Sequence, residues 1–168
     1  MRKILVSRVN RKTHKILFSR YCILDNEDYE RVKLKKWLIN GEGYVCTWIN
    51  KGTKILRLHN YILNHTPSKN SMIDHINHNK LDNRKDNLRI VTHQQNMWNR
   101  QKNINKTISK YKGVSYIKQE HRIKRWVAYL FLNKKRITIG RFLTEKEAAL
   151  AYDNKAKEIF GEYAKLNF

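Results

Sequence analysis

The chain has 168 residues, with 36 Lys+Arg against 14 Asp+Glu, giving a formal net charge of +22 and a pI near 10.2. Self-repulsion on that scale destabilises a compact chain unless a polyanion offsets it, so nucleic acid is the first candidate partner and a membrane surface or ribosome the second. With 40% hydrophobic and 11% aromatic residues, it is too apolar for a disordered basic tail and can furnish one core or two small ones. No apolar run is long enough to span a bilayer, and charge interrupts the first nine residues too early for a signal peptide. A cytoplasmic location, with no membrane partner, is the expectation. Cys22 and Cys46 make neither a Cys-x-x-Cys pair nor a disulfide framework. They read as reduced core thiols, and no structural zinc is expected.

Along the chain, Lys3–Val9 and Lys15–Phe18 predict two short strands about a polar turn. Asp25–Trp37 has helical spacing, with Tyr29, Val32, Leu34 and Trp37 as its apolar side. Tyr44–Ile49 and Lys54–Leu58 predict a hairpin closed by Asn50-Lys51-Gly52, and Tyr61–Asn64 a short helix. Pro67 marks a loop. Beyond it, Met72-Ile73 and Arg89-Ile90-Val91 can pair around an Asn/Asp-rich loop, followed by helical character over Thr92–Arg100. Residues 101–110 are polar and aperiodic, which suits a linker.

The last third predicts strands at Gly113–Ile117, Trp126–Leu132 and Arg136–Ile139, with a turn at Asn133-Lys134-Lys135. Thr144-Glu145-Lys146-Glu147 has the form of a capping box opening a helix. Ala148, Ala149, Tyr152, Ala156 and Ile159 form its stripe, and Gly161 a stop. The expected fold class is α+β. Charge follows this division: residues 1–64 carry +9, residues 65–100 only +3, and residues 101–168 +10.

The weakly charged middle holds the residues suited to chemistry. Phosphodiester hydrolysis needs a base for water, a cation to stabilise the leaving oxygen, and a group to orient the base. Imidazole titrates near neutrality, and Asp and Asn offer hard oxygens for Mg²⁺. Asp74 and His75 are adjacent, so on a strand their side chains diverge. Both can serve one site only where the strand ends or twists, or where their roles differ.

The phrases Ile73-Asp74-His75-Ile76-Asn77, Leu81-Asp82-Asn83-Arg84, Asn87-Leu88-Arg89-Ile90-Val91-Thr92 and Gln95-Asn96 resemble the HNH nuclease motif, the ββα-metal fold, in its phage and intron homing form. Leu56–Leu63 is similar to that family's lead-in helix. The resemblance implies His75 as general base, Asn87 as the residue orienting it, and Asp74 and Asn96 as ligands of one Mg²⁺ or Mn²⁺ ion. Arg84 and Arg89 could reach a phosphate, although Asp82, Asn83 and Arg84 read first as loop-ordering residues. His78 and His93 read as solvated, and His59 as a structural neighbour of the site.

The C-terminal pieces Tyr111-Lys112-Gly113-Val114, Arg125-Trp126-Val127-Ala128-Tyr129, Ala148-Ala149-Leu150-Ala151-Tyr152-Asp153 and Lys165-Leu166-Asn167-Phe168 resemble the AP2/ERF DNA-binding domain. That resemblance implies a three-stranded antiparallel sheet packed on one helix, with its other face in the major groove of DNA. Alternation then puts Ala128, Leu130, Ile137 and Ile139 against the helix, and Ser115, Tyr129, Phe131, Arg136 and Thr138 toward DNA. Lys112, Lys118, Arg122, Lys124, Arg125, Arg136 and Arg141 are candidate phosphate contacts. Tyr129, Phe131 and Thr138 stand where plant members carry arginine or tryptophan, so the family's GC-rich target does not carry over.

The organisation expected is a nuclease domain at 1–100 (motif core 54–100, extension 1–53), a linker at 101–110, and an AP2-like domain at 111–168. The expected activity is monomeric, metal-dependent, homing-type cleavage of double-stranded DNA. The competing class is a non-catalytic DNA-binding regulator on a nuclease-like scaffold. An RNA-binding module is a third, with no stacking motif of comparable specificity to support it.

Overall fold

Strand alternation at the N-terminus builds a long hairpin. In the computed structural model, which describes residues 1–10, 12–50, 52–102, 108–118 and 123–168, β1 (Arg2–Val9) pairs antiparallel with β2 (Ile16–Leu24) from Arg2↔Leu24 to Val9↔Ile16. The second strand runs well past the expected Phe18. Pairing along all of β1 extends it, and its far end buries Cys22 and Leu24. Asn10 sets the turn, its side-chain oxygen accepting from the amides of Lys12 and Thr13.

The first helix is shorter than its spacing suggests. α1 (Asn26–Lys33) ends four residues before Trp37, whose indole N–H donates to the Val32 carbonyl at 2.8 Å. That bond folds the chain back into a two-residue strand, β3 (Leu38–Ile39), which lies parallel to β1. β4 (Val45–Ile49) and β5 (Lys54–Arg57) form the expected hairpin. The resulting sheet has the order β2-β1-β3-β4-β5. α2 (Leu58–Ile62) follows, beginning earlier than Tyr61.

A second, two-stranded sheet pairs β6 (Met72–His75) with β7 (Leu88–Val91), in the register Asp74↔Arg89 and His75↔Leu88. Ile73 and Leu88 join the same core as Val6, Leu24, Val32, Trp37 and Leu58. One hydrophobic core thus sets the β6–β7 pair against the larger sheet. The loop between them is tied there as well: Ile23 of β2 accepts from the Asn83 amide at 2.9 Å and donates to the Leu81 carbonyl at 2.8 Å.

The chain divides into units Met1–His93 and Gln94–Phe168, so the division falls at the start of α3 (His93–Asn99). In the second unit β8 (Val114–Tyr116), β9 (Trp126–Leu132) and β10 (Lys135–Phe142) form an antiparallel sheet of order β10-β9-β8. β10 outruns the expected Arg136–Ile139 by absorbing an irregularity between Thr138 and Gly140. α4 (Glu145–Phe160) opens on Thr144 with both bonds of the capping box made. Val114, Ala128, Leu130, Ala148, Ala149, Tyr152, Ala156 and Phe160 form the core of this unit. Gly113 lies at φ +71, and a Cβ there would come within 1.9 Å of the Tyr152 ring. Trp98 of α3 stacks on Phe160 at 4.4 Å. Of the expected linker, residues 103–107 lie outside the described residues.

Asp153 closes this unit. Its buried carboxylate accepts from the amides of Asn167 and Phe168 and from the Asn167 side chain, at 2.9–3.0 Å. Asn167 in turn brackets the backbone of Lys112. Asp153→Ala is expected to destabilise the unit by about 1.5–3 kcal/mol, because buried donors lose a charged acceptor. Thermal unfolding checks this, and a loss under about 0.5 kcal/mol would contradict it.

Candidate functional site

The site in the first unit is built on the end of β6. Asp74 and His75 are the last two residues of that strand, both buried, and their side chains meet different surroundings. Asp74 turns to its cross-strand partner Arg89, whose Nε and Nη2 donate to Oδ2 at 3.2 and 3.1 Å. His75 sits in an aromatic nest, its ring 5.2 Å from that of His59 and 6.0 Å from that of Tyr44.

This nest fixes protonation. Burial pushes His75 below the usual imidazole value, opposed by its hydrogen bond with Asn83 and by the Asp74 and Asp82 carboxylates. Burial, with His75 adding to it, pushes His59 down to about 3. Both rings are therefore neutral at neutral pH, and a neutral His75 has a lone pair to offer as a base.

The loop after β6 holds itself by asparagine. His78 takes φ 63° in the turn, and its amide donates back to the His75 carbonyl. Asn77 and Asn79 accept from the amides two residues on, as in Asx turns. Asn77 also donates to Asp82 at 3.0 Å. Arg84 grips both oxygens of Asp82 at 2.9 and 2.8 Å, which pulls that carboxyl below its usual range.

Asn87 is used differently from the role its motif position implies. Its Oδ1 accepts from the Asn77 amide at 3.0 Å, and its Nδ2 donates to the Asp82 carbonyl at 2.8 Å. It therefore holds the loop, and the side chain meeting the His75 ring is that of Asn83, with Oδ1 at 3.4 Å from Nε2. The sequence reading left Asn83 among loop-ordering residues. Two further residues of the site come from elements remote in sequence: Tyr44 from the β3–β4 turn, against the His75 ring, and Cys22 from β2, against Asn83. Asn96 lies on α3, partly buried, in the second unit. His93 is exposed.

The two arginines expected at phosphate are engaged within the protein, Arg84 with Asp82 and Arg89 with Asp74. Lys112 requires a correction. Its ammonium turns inward onto the Trp98 carbonyl rather than out to solvent, and burial lowers its pKa to about 8.

In the second unit, register places Ser115, Tyr129, Phe131, Arg136 and Thr138 on the sheet face opposite the α4 core. The Arg136 guanidinium lies 4.0 Å over the Tyr129 ring and donates to Ser115 at 3.3 Å. Tyr129 meets Phe131 edge-on. Ile139 packs on the core, whereas Ile137, on the edge strand, is 37% exposed. Lys118, Lys124 and Arg141 are exposed, and Arg125 donates to the Tyr116 hydroxyl. Arg122 lies outside the described residues.

A further basic surface lies on the N-terminal sheet. A concave face there is lined by Lys3, Lys33, Lys35 and Lys36, with Leu5 and Tyr29 between them. Lys33 is paired with Glu30.

A buried Asp-His pair thus ends a short antiparallel strand, with an asparagine-knit loop beyond it. The HNH endonuclease profile matches residues 65–98. Over 148 residues the chain is 32% identical to an uncharacterized HNH endonuclease of Acanthamoeba polyphaga mimivirus, across 88% of this chain and 74% of that protein. No solved structure matches the chain. The chain belongs to the HNH endonuclease family.

Proposed function

We propose that the protein is a metal-dependent, homing-type endonuclease that hydrolyses phosphodiester bonds in duplex DNA. The observation carrying this reading is the adjacency of buried His75 and the Asp74 carboxylate at the end of β6. His75 takes a proton from water, and the water oxygen attacks phosphorus. The bond to the 3′ oxygen breaks and that oxygen takes up a proton from solvent, leaving a 5′-phosphate and a 3′-hydroxyl, while protonated His75 returns its proton to solvent. Asn87 keeps the loop over β6 in place through its two backbone bonds.

Asp74 offers a hard carboxylate oxygen one residue from the base, the donor type Mg²⁺ or Mn²⁺ takes, so the residue fits such an ion. The second oxygen, from Asn96, rests on the motif alone. When bound, the ion would stabilise negative charge on the departing oxygen.

Two basic surfaces support duplex DNA as the substrate: the lysine-lined concave face of the first unit, and the Arg136–Tyr129 face of the second. The three-stranded sheet of the second unit packed on α4, with the residues quoted above, supports an AP2/ERF-like module that positions the enzyme. The chemistry is tested on the product. DNA ligase should reseal nicks made by the protein, since it requires a 5′-phosphate beside a 3′-hydroxyl. Nicks refractory to ligase would contradict this mechanism. Tight binding without any nicking would favour the regulator instead.

A further inference from the structure

Asn83 is 1% exposed, and both ends of its side-chain amide are engaged. Nδ2 donates to the Lys80 carbonyl at 3.2 Å and to Cys22 Sγ at 3.3 Å. The backbone amide is clamped to the Ile23 carbonyl at 2.9 Å, so neither the residue nor its loop is free to turn over. Cys22 suits its part. Burial pushes its thiol up to about 12, so it stays protonated, and the thiol aims its hydrogen at the Ile23 carbonyl at 3.9 Å. The sulfur then has only lone pairs to present to Asn83.

With both amide protons committed, the end of Asn83 that reaches His75 is the oxygen, 3.4 Å from Nε2. A carbonyl oxygen accepts and cannot donate. We infer that Asn83 is the positioning residue of the base, fixing His75 as the Nε2–H tautomer and leaving Nδ1 as the lone pair that takes the proton from water. The role of Nδ1 rests on the nuclease reading; the tautomer does not. The motif points to Asn87 for this role, and nothing in it distinguishes Asn83 from Asn77 or Asn79. The distinction comes from β2, which supplies both the sulfur and the carbonyl that orient it.

The test is nitrogen NMR of the His75 ring in the folded wild-type protein at about pH 8, where an unperturbed imidazole is already neutral. The signal is assigned by its loss in His75→Ala. A protonated Nε2 with a bare Nδ1 is expected, and a predominant Nδ1–H form overturns the proposal. In Asn83→Ala the ring should lose this preference. Its kcat should fall about 10–100-fold, the range for a misplaced catalytic group, with KM changed less than twofold. A folded Asn83→Ala protein with unchanged tautomer and unchanged kcat also overturns it. If Asn83→Ala does not fold, the wild-type spectrum alone decides. Absence of cleavage by the wild type would strike the nuclease reading and leave the tautomer result standing.

Discussion

Replacing His75 with alanine is expected to lower DNA cleavage by about 10²–10⁴-fold, the usual contribution of a positioned general base. Affinity for the same DNA should stay nearly constant. The asymmetry follows from the site. His75 is 4% exposed and packed against His59 and Tyr44, so it offers little surface to DNA. Burial pushes its pKa below the usual imidazole value, so its removal takes no fixed cation from the interface. Removing the ring leaves a cavity at the strand end, and a thermal melt must accompany the assay. A folded variant cleaving at the wild-type rate would remove His75 from the mechanism.

Affinity for duplex DNA is expected to fall about 10³–10⁵-fold between roughly 50 and 200 mM salt, if about 6–10 phosphates are neutralised. The charge is placed for this: +9 over residues 1–64 and +10 over residues 101–168, against +3 between them. Lys3, Lys35 and Lys36 of the concave face, and Arg136 and Arg141 of β10, are the cations to replace. Each change to glutamine at a phosphate contact should reduce the salt slope by about one, at similar cost on unrelated sequences. Titrations by fluorescence anisotropy at several salt concentrations measure this. A flat salt dependence would leave the +22 charge without its proposed partner.

What the sequence reveals here is local. The pairing of Met72–His75 with Leu88–Val91, the Thr144 capping box and the Gly161 stop each depend on residues close in the chain. The β4–β5 hairpin is legible for the same reason, its turn residues lying between its strands. Long-range pairing is not written in any window. The far half of β2 needs β1 opposite it, and β3 has two residues and exists because Trp37 folds back on Val32.

The candidate site divides along the same line. Asp74 and His75 announce themselves as adjacent residues of suitable chemistry. Which asparagine meets the imidazole depends on the path of an asparagine-rich loop in which Asn77, Asn79, Asn83 and Asn87 are alike by type. Asn87 goes to backbone, and Asn83 to the ring, because β2 lies against the loop. Lys112 shows the converse. In a strongly basic segment it looks like another phosphate contact, yet it is drawn inward by the Trp98 carbonyl.

Metal-dependent hydrolysis of DNA at His75 is read out on supercoiled plasmid. Incubated with the purified protein, the plasmid should become nicked or linear in Mg²⁺, stay supercoiled in EDTA, and stay supercoiled with His75→Ala in Mg²⁺. Plasmid left intact in Mg²⁺ by the folded wild-type protein, on DNA carrying its native locus, would rule out metal-dependent cleavage at His75.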